Sequence, residues 1–260
     1  MQASIKRTGT VLAIGAHPDD IELLCAGTLT LLHAKGWNVG FATLTPGDCG
    51  STTRSREEIS ALRRQEAAAA AAILTGSYRC LECDDVFILY DRPTLLKVIR
   101  LIRELRPTIV FAMSPEDYMV DHEIASSLVR TACFAAGMRS IDAGSIEPFL
   151  SVPTLYYLDP MEGKDMLGNA IGATTMVDIS STMETKERMF LCHESQLDWL
   201  KAHHGVAESL QTLRALAAMR GAAIGVRYAE GFRQHRGHAY PQENILKKEL
   251  GSFVHLMEGK

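Results

Sequence analysis

Short apolar strand patterns alternate with helical patterns through the first half of this 260-residue chain. This alternation is typical of successive βαβ units, which fold around a parallel sheet with helices against its faces. Strands are predicted at Val11–Gly15, Asn38–Leu44 and Thr108–Met113, and a further one near Tyr78–Cys83 or Val86–Leu89. The pattern therefore predicts an α/β fold with a mostly parallel sheet.

Helical patterns fill the intervals between these strands. Helices are predicted near Leu23–Lys35, Ser55–Leu74, Pro93–Leu105 and Asp121–Ala136. The second is rich in Ala, Glu and Arg and contains neither Gly nor Pro, so its helical propensity is high throughout. The carboxylate of Asp121 is placed to cap the last of them.

Beyond Gly137 the alternation becomes less regular. Ser151–Tyr157 and Thr174–Ile179 have strand patterns, a helix is predicted from Ser180, and Gln196–Arg220 is predicted to be helical. No internal repeat, low-complexity linker or charge run divides the chain. We therefore expect one domain with an elaborated C-terminal third.

Charge and composition exclude several classes of partner. The net charge is −4, and the isoelectric point is near 6.1. These values show no excess of positive charge that would attract nucleic acid or an anionic membrane. The polar first ten residues and the short apolar stretch after them match neither a signal peptide nor a membrane span, so a cytoplasmic location is expected. The six cysteines are expected to be reduced thiols.

The segment Ala16–Asp20, read Ala-His-Pro-Asp-Asp, directly follows the first predicted strand. A proline bends this loop, so His17 and Asp20 can face one point from the same side of the turn. An imidazole nitrogen and a carboxylate oxygen suit Zn²⁺ or another small divalent ion. Asp19 would then stay uncoordinated beside a metal-bound water, where a free carboxylate acts as a general base.

Two other interpretations of the Asp-Asp pair remain open from these residues alone. The pair can be turn chemistry that caps the downstream helix. It can also hold a metal and a diphosphate in a nucleotide-binding transferase, although no GxGxxG segment follows the first strand. Bound zinc without nucleotide would distinguish a hydrolase from such a transferase.

A second polar loop is expected at the same edge of the sheet. The simplest doubly wound order puts the first strand beside Thr108–Met113, and ligands bind where the winding reverses. The loop Ser114–His122 would therefore meet the first one, and His122 would complete a His/Asp/His site with open positions for water and substrate. Asp121 would orient an imidazole or shape the pocket. Taken alone, His122 is more readily interpreted as a histidine that faces solvent at its helix start.

These residues resemble the LmbE/PIG-L family of zinc-dependent N-acetylglucosaminyl deacetylases. The family's AHPDD signature appears as Ala16–Asp20, followed by Ile21-Glu22 and Gly27-Thr28, and its HPDH motif corresponds to Met119–His122. The resemblance implies a Rossmann-like three-layer fold over a single domain, residues 1–260. It also implies a zinc-dependent hydrolase that removes an N-acetyl group from an amino sugar or its conjugate.

The resemblance assigns roles to individual residues. It implies that His17, Asp20 and His122 are zinc ligands and that Asp19 is the general base. Arg63 matches the family's Arg-x-x-Glu arginine, which faces the substrate pocket; the other interpretation is an ion pair with the glutamate three residues later. Relatives in the family often form homo-oligomers, so this chain could also be a homo-oligomer, and its oligomeric state stays open.

Two late segments match more weakly. His193–Gln196 resembles the family's His-x-Ser-Gln segment, and Tyr228–Phe232 resembles its closing Ala-Glu-x-Phe. For both, packing or closure of the pocket is as good an interpretation as chemistry.

One position departs from the family pattern. The first histidine of HPDH, associated with stabilising the oxyanion or protonating the leaving amine, is Met119 here. A thioether donates neither a proton nor a hydrogen bond. Either another group does this work, with His193, His235, His238 and Tyr118 available, or the substrate differs, or the protein is a catalytically silent metal- or ligand-binding homologue. A related amidase that acts on another N-acyl substrate is the nearest alternative function.

Overall fold

The computed structural model describes residues 8–197 and 209–257. Within these ranges eight strands share one sheet. They are β1 (Thr10–Gly15), β2 (Asn38–Thr43), β3 (Ser77–Cys80), β4 (Ile109–Ala112), β5 (Thr154–Leu158), β6 (Thr175–Asp178), β7 (Ala229–Gln234) and β8 (Val254–Leu256). Their order across the sheet is β3-β2-β1-β4-β5-β7-β6-β8.

Helices connect and cover these strands. They are α1 (Asp20–Leu24), α2 (Ala26–Ala34), α3 (Arg56–Ala72), α4 (Arg92–Leu105), α5 (Val120–Ala135), α6 (Met183–Phe190), α7 (Ser209–Ala222) and α8 (Ile245–Leu250). Helix α4 packs against α5, whereas α1, α2 and α3 all contact α6. Across the described ranges, no helix combines the length and the apolar character needed to cross a membrane.

The first five strands form the parallel part of the sheet, and β1 lies at its centre. Val11 of β1 is opposite Val39 of β2 on one side and Ile109 of β4 on the other. Four consecutive residues of β1, Val11–Ile14, are fully buried, as expected for a strand covered on both faces. The predicted neighbourhood of β1 and β4 is confirmed. Because the two strands are parallel, the loops that follow them leave the same edge of the sheet.

The C-terminal third extends the sheet with antiparallel strands. β7 pairs antiparallel with both β5 and β6, and β6 pairs antiparallel with β8. The predicted mixed α/β fold with a mostly parallel sheet is confirmed, but β7 and β8 have no counterpart in the prediction. β7 reads Ala-Glu-Gly-Phe-Arg-Gln, a sequence without apolar alternation.

The charge within β7 is held by a buried network. The Glu230 carboxylate accepts hydrogen bonds from Gly27 N at 2.9 Å and Thr28 N at 2.7 Å, in the first turn of α2. Lys186 of α6 donates to the same carboxylate at 2.5 Å and to Leu23 O at 2.8 Å. An acidic group at a helix N-terminus is favourable, and a paired buried charge avoids the cost of an isolated one. The packing interpretation of the Tyr228–Phe232 segment agrees with these contacts.

Several predicted boundaries change for local reasons. The helix predicted at Leu23–Lys35 is two helices, because the backbone at Cys25 has φ −146° and ψ 3°. The third strand is Ser77–Cys80, so the alternative at Val86–Leu89 is wrong; Val86 has φ +71°, which no strand accommodates. The helix predicted at Gln196–Arg220 lies partly outside the described residues, and α7 covers its later part.

The long predicted helix is confirmed as α3, and its start has a clear cause. Ser55 Oγ accepts a hydrogen bond from Glu58 N at 3.2 Å, and the Glu58 carboxylate accepts one from Ser55 N at 2.9 Å. This reciprocal capping box satisfies two backbone donors that the helix leaves without internal partners. In contrast, the predicted Asp121 cap of α5 is wrong. Met119 occupies the N-cap position with no side-chain hydrogen bond, and Asp121 turns inward.

Candidate active site and metal centre

The loop after β1 is closed by the carboxylate of Asp20. Its Oδ2 atom accepts hydrogen bonds from Ala16 N at 2.9 Å and from His17 N at 2.8 Å. Glycine at position 15 leaves room for this side chain, because a Cβ there would lie 3.0 Å from Asp20 Cβ. The carboxylate is thus fixed, and its other oxygen faces His122, with 3.4 Å between Oδ1 and Nε2.

The structure brings the three predicted ligands together. His17, Asp20 and His122 each offer a ligand atom, and these atoms lie within 4.8 Å of one another. All three side chains are buried, which rules out the solvent-facing interpretation of His122. Two imidazole nitrogens and one carboxylate oxygen are the donors that a catalytic zinc site uses, with further positions left for water and substrate. The donor set therefore fits a small divalent ion.

Carboxylates contact the remaining ring nitrogens of both histidines. His17 Nε2 lies 3.0 Å from Asp85 Oδ1 and 3.3 Å from Asp121 Oδ2. His122 Nδ1 lies 3.0 Å from Asp117 Oδ1. Metal-bound histidines almost always donate their second N–H to such a group, which fixes the ring and its tautomer. This arrangement is a second observation that fits a metal at the centre.

Asp85 and Asp117 were not predicted from the sequence as residues of the site. Asp85 follows β3 and Asp117 follows β4, so both lie in loops at the carboxyl edge of the sheet. The signal that could have found them is their position: acidic residues in the loops after neighbouring parallel strands converge with the loop after β1. Asp121 was predicted to orient an imidazole, and the imidazole that it contacts is that of His17, not that of His122.

The acidic surroundings strongly favour positive charge at this centre. Burial lowers the pKa of His17, but the hydrogen bonds with Asp121 and Asp85 outweigh it and raise the pKa to about 9. Burial likewise opposes the charged form of His122, while the charge of Asp20 and the hydrogen bond with Asp117 raise its pKa to about 10. Metal binding displaces protons from its ligands, so the same negative field that holds these protons favours a divalent cation.

Asp19 occupies a different environment from Asp20. Its backbone has φ +105°, a region that non-glycine residues rarely adopt, and its side chain makes no capping hydrogen bond. The capping interpretation of this residue is therefore wrong. Burial raises the pKa of Asp19 to about 6, against the opposing effect of the nearby Arg63 charge. Among the described residues it belongs to none of the clustered donor groups.

Arg63 is buried and braces the loop that carries Asp19. Its guanidinium donates to Pro18 O at 2.6 Å and to Gly47 O at 3.1 Å, and Nη2 lies 3.6 Å from Asp19 Oδ2. Gly47 has φ +68°, and a Cβ there would overlap the guanidinium, so only glycine fits. The alternative prediction, an ion pair between Arg63 and Glu66 on the helix surface, is wrong. Glu66 instead accepts hydrogen bonds from Ser195 N and Oγ.

The groups considered as substitutes for the missing histidine lie in different places. His193 is fully buried, with Nε2 3.2 Å from Glu22 Oε2. Burial lowers its pKa, but the charges of Glu22 and of the nearby Asp19 outweigh burial and raise it. His235 Nδ1 lies 3.0 Å from the Tyr157 hydroxyl. His238 is exposed. The ring of Tyr118 meets the His122 ring edge-on, with 5.5 Å between centroids.

Comparisons with known proteins agree with this geometry. Residues 12–133 match the PIG-L family, described as GlcNAc-PI de-N-acetylase, and this segment contains both histidine loops. A diacetylchitobiose deacetylase of Thermococcus kodakarensis is 31% identical over 237 residues, which cover 86% of this chain and 82% of the relative. The chain belongs to the PIG-L family. The resemblance inferred from the two motifs is thereby confirmed.

Two further similar proteins show the range of the similarity. The solved N,N'-diacetylchitobiose deacetylase from Pyrococcus horikoshii is 26% identical, with a TM-score of 0.74, and the match covers 91% of this chain and 88% of that one. A 4-oxalmesaconate hydratase of Pseudomonas putida is 26% identical over 234 residues, 85% of this chain and 87% of the relative.

Proposed function

We propose that this protein is a metal-dependent N-deacetylase that hydrolyses the N-acetyl group of an amino sugar or of its conjugate. The observation that carries the proposal is the convergence of His17, Asp20 and His122 on one point. The Asp19 side chain, which makes no capping hydrogen bond, lies in the same loop as His17. The N-acetylated sugar named for the diacetylchitobiose deacetylases supports this substrate class.

We propose zinc as the metal, held by His17, Asp20 and His122. Two nitrogens and one oxygen are the ligand types that catalytic zinc sites use. Zinc bound there would supply a Lewis acid, which lowers the pKa of water and polarises an acyl carbonyl. The carboxylates of Asp85, Asp121 and Asp117 would keep both imidazoles in the orientation that ligation requires.

The chain's own residues then move the proton. Asp19 accepts a proton from the water that attacks the acyl carbon, since its raised pKa of about 6 makes it a stronger base than an exposed aspartate. The protonated Asp19 returns that proton to the leaving nitrogen as the C–N bond breaks. The products are acetic acid, which ionises to acetate, and a free amine. This double use of Asp19 would replace the acid that a histidine at position 119 would provide.

The test compares acetate release from N-acetylglucosamine derivatives by the wild type and by Asp19→Asn at equal zinc content. We expect the substitution to lower kcat by at least about a hundredfold, the scale of general-base catalysis. Asp142→Asn, at an exposed position, is the matched control and should keep full activity. Equal rates for wild type and Asp19→Asn would contradict the assignment of Asp19.

Met119 favours a second candidate function, a homologue that binds metal or ligand without hydrolysis. Met119 lies at the N-cap of α5, three residues before His122, and supplies no hydrogen bond donor. Zinc bound without acetate release from any N-acyl substrate would support this candidate. Activity gained by Met119→His would then show that the missing donor is the reason.

A further inference from the structure

Exposed apolar side chains from two segments surround one side of the candidate active site. We call them the apolar rim. Each is between 53% and 67% exposed: Val86, Phe87, Leu89, Tyr90, Tyr118 and Val120. Neither 86–90 nor 118–120 contains a charged residue. Large apolar groups exposed together at the mouth of a site indicate something that they bind.

Hydrogen bonds attach the first segment of the rim to the metal centre. Val86 N donates to Asp121 Oδ2 at 2.8 Å, and the same oxygen lies 3.3 Å from His17 Nε2. Further along, the Tyr90 hydroxyl lies 2.8 Å from Thr131 Oγ1 of α5. The Val86 end of the segment thus lies next to the predicted ligands, and the Tyr90 end is held further along α5.

The second segment of the rim adjoins the other histidine. Tyr118 packs its ring edge-on against His122, with an interplanar angle of 81°, and 55% of the residue stays exposed. Val120 is the first residue of α5. The two segments therefore border the two histidine ligands, and a substrate held by its acyl group at the centre would place its remaining atoms beside them.

The backbone of the rim is strained at Val86. Its φ is +71°, and a β-branched residue in this region is an outlier with a conformational cost. Glycine would adopt the same conformation without that cost. Ile88, two residues later, is buried and anchors the segment in the core. A strained residue with an exposed apolar side chain, next to the site, suggests that the side chain itself is used.

We propose that the apolar rim is a subsite for an aliphatic or aromatic substituent carried by the amino sugar. This inference rests on the proposed deacetylase function and adds a preference to it. The position of the rim favours a substrate group over a second copy of the chain. Val86 N donates to Asp121 and the Tyr118 ring packs against His122, so the rim touches residues of the candidate site itself.

The experiment compares the methyl, phenyl and octyl glycosides of N-acetylglucosamine, with N,N'-diacetylchitobiose as the polar reference. A buried methylene contributes about 0.8 kcal/mol, or roughly fourfold in binding. We expect kcat/KM for the octyl glycoside to exceed that for the methyl glycoside by at least about tenfold. Phe87→Ser and Leu89→Ser should each reduce this ratio severalfold.

Leu167→Ser is the matched control, because Leu167 is 79% exposed and lies outside the rim. It should leave the octyl-to-methyl ratio unchanged. A wild-type ratio near one, or an equal effect of Leu89→Ser and Leu167→Ser, would overturn the proposal. So would rim variants that keep the ratio but lose self-association in light scattering, since the rim would then join copies of the chain.

A binding measurement separates this inference from the proposed function. Calorimetric titration of zinc-loaded Asp19→Asn with the octyl and methyl glycosides needs no turnover. Tighter octyl binding that Leu89→Ser weakens would support the subsite even if no acetate were released, in which case only the deacetylase proposal would fail. Equal affinities alongside acetate release from all the glycosides would overturn the subsite and leave the deacetylase intact.

Discussion

His17 and His122 lie with 5.5 Å between their ring centroids, yet different parts of the chain hold them. The second nitrogen of His122 contacts Asp117, five residues earlier in the same loop. The second nitrogen of His17 contacts Asp85, in the loop after β3, and Asp121, on α5. One histidine is therefore oriented locally, and the other is oriented by tertiary contacts from two distant segments.

The loops that carry these histidines differ in the same way. The loop after β1 needs an internal carboxylate, a left-handed Asp19 and the buried Arg63 to keep its shape. The start of α5 has no side-chain cap, and hydrogen bonds within residues 114–123 shape the loop before it, with Arg233 of β7 donating to Ser114 Oγ at 2.7 Å. The chemistry assigned to Asp19 thus depends on Arg63, a buried residue of a distant helix, and substitutions around that segment test this dependence.

The largest effect is expected from Asp20→Asn. This carboxylate both faces His122 and accepts two backbone hydrogen bonds that shape the loop. The loss of a ligand charge should weaken zinc binding by more than the 10–100-fold typical of residues outside the ligand set. Competitive chelator titration measures the affinity. Zinc binding as tight as that of the wild type would remove Asp20 from the ligand set.

Arg63→Lys should lower activity by about a hundredfold, with a much smaller change in KM. A lysine cannot donate to both Pro18 O and Gly47 O in the geometry of the guanidinium, so the strained Asp19 loses its brace. Steady-state kinetics separates kcat from KM. Arg64→Lys, at the neighbouring exposed residue that pairs with Glu82, is the control. A rise in KM alone would instead assign Arg63 to substrate binding.

The two histidine supports can be compared directly by substitution. Asp117→Asn should weaken zinc binding by about 10–100-fold, because Asp117 is the carboxylate in contact with His122 Nδ1. Chelator titration measures this effect, with Asp142→Asn as a control. An unchanged affinity would show that the helix start alone orients His122.

Asp85→Asn should have the smaller effect of the two, severalfold or less, because Asp121 still contacts His17 Nε2. The double variant with Asp121→Asn should then lose more affinity than the two single variants together predict, since the pair shares one nitrogen. The same titration provides the measurement. A larger loss from Asp85→Asn than from Asp117→Asn would show that His17 depends on a single carboxylate more strongly than His122 does.

Much of the fold was predictable from local patterns. β1, β2, α3, α4 and α5 follow from apolar periodicity and helix propensity, and their order predicted that β1 and β4 would be neighbours. β7 was missed because Glu230 is balanced by Lys186 and by backbone donors of α2, and Arg233 by Glu116, partners that no pattern within the strand reveals.

The sequence by itself determined the chemistry that the loops can offer: His17, Asp19 and Asp20 after one strand and His122 after another, within one α/β sheet. Only the tertiary structure decided how that chemistry is arranged. It selected Asp85 and Asp117 as partners of the histidines, buried Arg63 behind Asp19, turned Asp121 from a cap into a contact of His17, and exposed the apolar rim. The physical reason is range, since capping and periodicity act over a few residues, whereas the charges around a buried site are satisfied by whichever distant segments the sheet brings to its edge.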